Sequence, residues 1–301
     1  SFNQPELLNK LIESNQFDVN EQTAPDVENK MNGTPLIIAL KNNQLGNFNL
    51  LVNRYQNELN LNLLDSNGMA AIHYCLYLND ERSSSLKKLL EIDDTIVNLK
   101  TNNKETPLMI AFHGNSTKST IALLQIPSIN VFDQDSSFRT VLHHLASKRS
   151  SNECIDSVLN KIKYSTNDID EIASYINAKD VNGNSAIILG CLNCNTYFVK
   201  KLIELFNDLI NYNQPNFEGI TPFFAALNSR SSAILDHLLL IDEITSSIDL
   251  SVPVDSENNY FVHLIARNGS CENFKLLIDK ALSHSSNLLI DLANLKNSKD
   301  E

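Results

Sequence analysis

Apolar and polar positions along this chain fall into blocks that recur in one fixed order. Four stretches share a pattern, NGTPLIIAL, KETPLMIAF, FRTVLHHLA and GITPFFAAL, and GMAAIHYCL, GNSAIILGC and NYFVHLIAR keep it in weaker form. The first motif residues are Thr34, Ala70, Thr106, Thr140, Ser185, Thr221 and Tyr260, spaced 36, 36, 34, 45, 36 and 39 residues apart. Some 16 to 19 residues after each start comes an apolar pair: Leu50-Leu51, Leu89-Leu90, Leu123-Leu124, Val158-Leu159, Leu202-Ile203, Leu238-Leu239 and Leu276-Leu277. Each pair sits in a pattern such as FVKKLIELF, whose apolar residues three and four apart share one face of an α-helix. A β-branched residue or leucine followed by asparagine comes next: Val19-Asn20, Leu61-Asn62, Val97-Asn98, Ile129-Asn130, Ile176-Asn177 and Ile210-Asn211. Turn-forming strings such as DSNG, DVNG and NFEG follow.

Each unit therefore predicts a turn, a short helix, a tight turn, a longer helix and a loop. Neither helix buries its apolar stripe alone, and stacking the units supplies a continuous core. The expected fold is all-α, a solenoid with short β-hairpin or turn connections, forming one domain over 1–301. About seven full repeats begin near residues 29, 65, 101, 135, 180, 216 and 255. An insertion at about 161–176, KIKYSTNDIDEIASYI, accounts for the 45-residue spacing. It either extends the second helix of the fourth repeat or adds a short helix of its own. Residues 1–28 read as part of a preceding repeat, and LIDLANLKNSKDE stops where another hairpin would begin. The expectation is a region of a longer chain.

The units resemble the ankyrin-repeat family, whose unit of about 33 residues has a β-turn, two helices and a T-P-L-H-x-A signature. TPLIIA, TPLMIA, TVLHHLA and TPFFAA carry the resemblance, INAKDVNGNSAI is similar to the family's inter-repeat hairpin, and the likeness runs over essentially the whole chain. It implies a fold and leaves activity open, because function resides in sites placed on folds. Glycine is scarce, with 8 in the chain. Two residues before each motif start stand Asn32, Gly68, Lys104, Phe138, Gly183, Gly219 and Asn258. Lysine and phenylalanine tolerate a left-handed backbone poorly. The hairpins before Thr106 and Thr140 are therefore expected to differ in shape.

The adjacent histidines His143 and His144 invite a metal or general-base reading, which the repeat alignment answers. The signature's fourth position holds Ile37, His73, Met109, His143, Ile188, Phe224 and His263. The resemblance makes that histidine a structural one, and apolar residues of similar bulk fill the slot elsewhere. The next position is mostly apolar, so His144 is expected to be half-buried. Five cysteines, Cys75, Cys154, Cys191, Cys194 and Cys271, form no disulfide framework, and CLNC lacks the second ligand pair of a zinc site. Cys75 and Cys191 take positions where the family carries small buried residues. No P-loop, H-E-x-x-H, G-x-G-x-x-G or G-x-S-x-G occurs, and Asp93-Asp94 and Asp242-Glu243 follow helical segments as solvated ends. The chain reads as non-catalytic, without cofactor or metal.

Net charge is −12, which disfavours phosphate-backbone contact and suits a basic protein partner. No apolar run reaches the roughly 20 residues of a membrane span, and no signal-peptide pattern opens the chain. The expectation is an intracellular protein, cytoplasmic or nuclear, with no direct nucleic-acid contact and no membrane insertion. Binding is expected on the concave face of the stack, built from hairpin tips and first-helix edges. Candidates near the tips are Met69, Phe138, Arg139, Phe217, Glu218, Ile220 and Asn259, and just past the signature come Tyr77, Lys148, Asn228 and Arg267. Phe138 and Phe217 either anchor a partner or fold back over their own hairpins.

Two functional classes follow. One is a scaffold or adaptor module that binds a protein partner. The other is a regulatory ankyrin region, serving the rest of its own chain in a larger enzyme such as an ADP-ribosyltransferase or in a transcription regulator. RTVLHH followed by a long insertion is similar to yeast cell-cycle transcription regulators.

Overall fold

Threonine followed by proline starts a helix for two reasons. The hydroxyl accepts an otherwise orphaned first-turn N–H, and proline has no N–H to leave unpaired. A computed structural model describes residues 18–22, 33–76, 82–114, 116–147, 150–229, 231–241, 259–260, 263, 272, 275 and 279. In it Thr34, Thr106 and Thr221 accept from the N–H groups of Ile37, Met109 and Phe224 at 3.3, 3.4 and 3.3 Å. Every helix opened by a described signature begins one residue after the motif start.

The described residues are mostly helical. They form α1 (Pro35–Lys41), α2 (Leu45–Tyr55), α3 (Ala71–Leu76), α4 (Ser83–Ile92), α5 (Pro107–His113), α6 (Thr117–Leu124), α7 (Val141–Ser147) and α8 (Asn152–Lys163). Then follow α9 (Ile169–Ile176), α10 (Ala186–Leu192), α11 (Thr196–Phe206), α12 (Pro222–Asn228) and α13 (Ser232–Leu238). Short 3-10 turns lie at Asp94–Asn98 and Asn207–Leu209. No strand occurs among the described residues; a single bridge pairs Gln134 with Thr140. The class is all-α.

The chain divides into two compact units, residues 1–141 with 153–162, and residues 142–152 with 163–301. Within the first, α3 packs on α1 and on α5, and α6 packs on α4. Short helices thus stack on short ones, and longer helices on longer ones. Leu40, Ile72, Leu76 and Leu108 from the short helices, and Leu51, Leu89 and Leu123 from the longer ones, are buried. Each such side chain contributes roughly 2 kcal/mol of burial free energy. In the second unit α10 packs on α11 and α12, and α13 packs on α11 and α12. Leu202, Ile203, Leu238 and Leu239 fill the space between them.

The insertion does both: residues 161–163 complete α8, and most of the rest forms a helix of its own. Its helix α9 opens at Asp168, whose Oδ1 accepts from Asp170 and Glu171 N–H at 3.0 and 3.2 Å. Ile172, Tyr175 and Ile176 form its buried face.

Between the helices of a pair the chain turns through a left-handed residue, Asn43 at φ 56° and Cys194 at φ 54°. The N–H groups that follow, on Gln44 and Asn195, return to the carbonyls of Ala39 and Gly190 at 2.7 and 2.9 Å. At the far end of the longer helices, asparagine amides bind consecutive loops together. Asn20 Nδ2 donates to Glu58 O, and its Oδ1 accepts from Asn60 N. Asn98 does the same with Ser128 and Asn130, and Asn177 with Leu209 and Asn211. The bonded position in the second loop is therefore Asn60, preceded by Leu59, and not the expected Leu61-Asn62.

Candidate functional site

Each described hairpin is organised by a polar residue five positions before the motif start: Asp65, Thr101, Asp135, Asp180 and Asn216. A short side-chain oxygen there can accept from N–H groups two and four residues on, which folds the chain back on itself. Asp65 Oδ1 accepts from Asn67 and Met69, Asp135 Oδ1 from Ser137 and Arg139, and Asp180 Oδ1 from Asn182 and Asn184, at 2.8 to 2.9 Å. Asn216 Oδ1 takes Glu218 and Ile220 at 3.0 and 2.8 Å, and Thr101 Oγ1 takes Glu105 at 3.2 Å. Backbone pairs such as Asp135 N to Arg139 O, at 3.0 Å, close each loop.

This scaffold overturns the expectation that two hairpins differ in shape. Lys104 and Phe138 adopt φ 59° and 57°, beside 71°, 76° and 80° for Gly68, Gly183 and Gly219. The turn bond from this residue back to the organising position spans 2.8 to 3.1 Å in all five hairpins. Side-chain preference alone disfavours the conformation by about 1–2 kcal/mol, and the surrounding hydrogen bonds hold it nonetheless. Neighbouring hairpins within a unit also bond directly. Ser136 N–H donates to Asn103 O at 2.8 Å, and Phe217 N–H to Asn182 O at 3.1 Å.

The candidate surface residues distribute unevenly over these loops. Phe138 and Phe217 are 57% and 75% exposed, and Glu218 is exposed beside Phe217. The Phe217 ring lies against the open face of Gly183, where a Cβ would come within 2.7 Å of it. It thus covers the glycine of the neighbouring hairpin rather than its own turn. Met69, Arg139, Ile220 and Asn228 are half-buried, and Asn259 is buried at 5% exposure, so it offers little surface. Tyr77, Lys148 and Arg267 lie outside the described residues. Lys104, exposed on the hairpin beside that of Phe138, belongs with the surface set, although in sequence it stands out only as a poor turn residue.

The chemistry-bearing side chains point the other way, into the stack. His73 and His143 are fully buried, and His144 is 2% exposed, deeper than the half-burial expected. Ala70 N–H donates to His73 Nδ1 at 2.9 Å, so the ring proton sits on Nε2 and donates to Leu99 O at 3.0 Å. Burial holds the His73 proton affinity down to about 4, against the partial support of its hydrogen bond to Leu99 and the charge of Asp65. His143 Nε2 pairs with Asn184 O at 3.0 Å. The ring acts as a hydrogen-bonded brace inside the stack.

Cys75, Cys154 and Cys191 are buried and Cys194 is exposed. Burial pushes the Cys75 thiol up to about 12 and raises Cys191 as well, the reverse of activation. Arg82, which the sequence gives no reason to single out, is buried at 2% exposure. Its Nη1 donates to Tyr74 O at 2.7 Å and its Nη2 to Asn43 Oδ1 at 3.1 Å, while Tyr74 OH donates to Asp65 Oδ2 at 2.5 Å. No cluster of three or more metal-ligating side chains occurs among the described residues. A cleft of about 610 Å³ in the first unit is lined by Asn53, Gln56, Lys88, Glu91 and Asp93, with no serine, cysteine or histidine. Among the described residues no helix is long and apolar enough to cross a membrane.

No family model matches this chain. It is similar to transcription factor MBP1 of Kluyveromyces lactis, 30% identical over 182 residues, which are 58% of this chain and 22% of that protein. It is similar also to transcription factor MBP1 of Saccharomyces cerevisiae, 32% identical over 108 residues, 34% of this chain and 13% of that protein. The chain thus spans less than a quarter of either relative. Both relatives are transcription factors rather than enzymes, and this overturns the expectation of no direct nucleic-acid contact. That expectation rested on the net charge and on the absence of basic runs interleaved with aromatics, whereas phosphate contact can also come from cations dispersed in the sequence and gathered by the fold. The similarity to proteins named transcription factor MBP1 thus covers only part of this chain and a smaller part of each relative.

Proposed function

We propose that these residues are an ankyrin-type regulatory region of a nuclear transcription regulator, acting through protein contacts at its hairpin tips. The similarity to two transcription factors carries the reading. The recurring unit of hairpin, short helix and longer helix supports the ankyrin-type description. The buried histidines His73, His143 and His144 and the buried thiols Cys75 and Cys191, of raised proton affinity, favour a role other than catalysis, because these groups serve packing. Exposed Phe138 in the first unit and Phe217 in the second each supply an aromatic face of the kind on which protein partners commonly dock.

Regulation of a transcription factor, rather than a free-standing scaffold, is the better reading because both relatives are transcription factors. Chromatin immunoprecipitation of the natural protein tests it. Occupancy at discrete promoters is the expected result. Absence from chromatin under every growth condition contradicts it.

A further inference from the structure

Five hairpins share one geometry, yet their left-handed position is filled in two ways. Three use glycine, which adopts that conformation without a steric cost. Lys104 and Phe138 take the same turn at a conformational penalty, so the turn itself requires no side chain there. Packing does not recover the penalty, since Phe138 is 57% exposed and Lys104 is exposed. The Lys104 ammonium has no partner among the described residues, and the only described hydrogen bond of either residue is its own backbone N–H within the turn. Backbone strain kept for the sake of exposed side chains is a mark of binding surfaces. The two residues stand at equivalent places on neighbouring hairpins, which are joined by the Ser136–Asn103 bond of 2.8 Å.

We infer that Lys104 and Phe138 form a two-anchor docking surface for a protein segment that carries a carboxylate close to a large apolar side chain. The inference rests on the protein-contact reading above and names the partner's chemistry. Lys104 supplies a cation for the carboxylate. Phe138 supplies an aromatic face for the apolar side chain. The net charge of −12 does not forbid an acidic segment, because charges beyond about 8 Å are screened at physiological salt.

The test uses the whole chain and a phage-displayed random peptide library, followed by affinity and stability measurements on Lys104→Gly and Phe138→Gly. Enriched peptides are expected to combine Asp or Glu with an apolar residue. Their affinity is expected to fall about tenfold for each variant. Lys104→Arg is expected to retain binding. Both glycine variants are expected to unfold at an equal or higher denaturant concentration than the unaltered chain. Glycine variants of lower stability would overturn the inference, because the side chains would then serve the fold. So would enriched peptides that lack acidic residues or bind all variants equally. Self-association of the chain that is lost in Phe138→Gly would assign the surface to a second copy and likewise overturn it. Promoter occupancy is read separately: its retention alongside failed peptide selection removes this surface and leaves the transcriptional reading intact.

Discussion

The side-chain Oδ1 of Asn98 accepts the backbone N–H of Asn130 at 2.8 Å, while its Nδ2 donates to Ser128 O at 2.7 Å. One amide thus ties a loop to its counterpart 32 residues on, as Asn20 and Asn177 do elsewhere. Asn98→Ala removes both bonds at a solvent-accessible site, where water restores part of the loss. The expected cost is about 1–2 kcal/mol, measured as a lower urea midpoint with an unchanged slope. Asn98→Asp keeps the acceptor but sets a carboxylate against the Ser128 carbonyl, so it is expected to be no milder.

His73 makes stability depend on pH in a defined direction. Its folded proton affinity is lowered to about 4 from an ordinary 6.5. Between those values the unfolded chain binds more protons, so stability falls as pH drops through 6.5 and levels off near 4. The full loss is about 3 kcal/mol. Denaturant titrations across this range are expected to show a shallower pH slope for His73→Met, a residue that fills the same slot at Met109.

Two glycines of one hairpin type should respond unequally to alanine. A Cβ on Gly183 would stand 2.8 Å from the backbone N of Phe217, whereas one on Gly219 meets nothing within 4 Å. Gly219→Ala then costs only the left-handed backbone, about 1 kcal/mol. Gly183→Ala adds a clash with the neighbouring backbone and is expected to cost about 3 kcal/mol in the same unfolding assay.

Thiol labelling reports the burial pattern directly. Of Cys75, Cys154, Cys191 and Cys194, Cys194 alone is exposed. Brief maleimide treatment of the folded chain followed by peptide mapping is expected to modify Cys194 among these four. Rapid modification of Cys75 or Cys191 would contradict the packing described.

Period and core were legible in the sequence because both rest on hydrophobic spacing. The apolar pairs Leu123-Leu124, Val158-Leu159 and Leu202-Ile203 are all buried. Hairpin shape at Lys104 and Phe138 does not follow from residue preference alone, because the side chains of Thr101 and Asp135 organise those turns. Their recurring place five residues before each motif start was a usable signal. Arg82 was beyond reach, since it contacts Asn43 from 39 residues away and no local pattern marks that pairing. The surface was legible only in part. Exposure at Phe217 and burial at Asn259 follow from how each loop meets its surroundings, which periodicity does not encode.

The most direct measurement is transcript output at promoters occupied by the natural protein, compared before and after deletion of the region corresponding to residues 1–301. A regulatory region predicts altered output from occupied promoters, with the rest of the protein still expressed. Unchanged output at every occupied promoter would contradict the account.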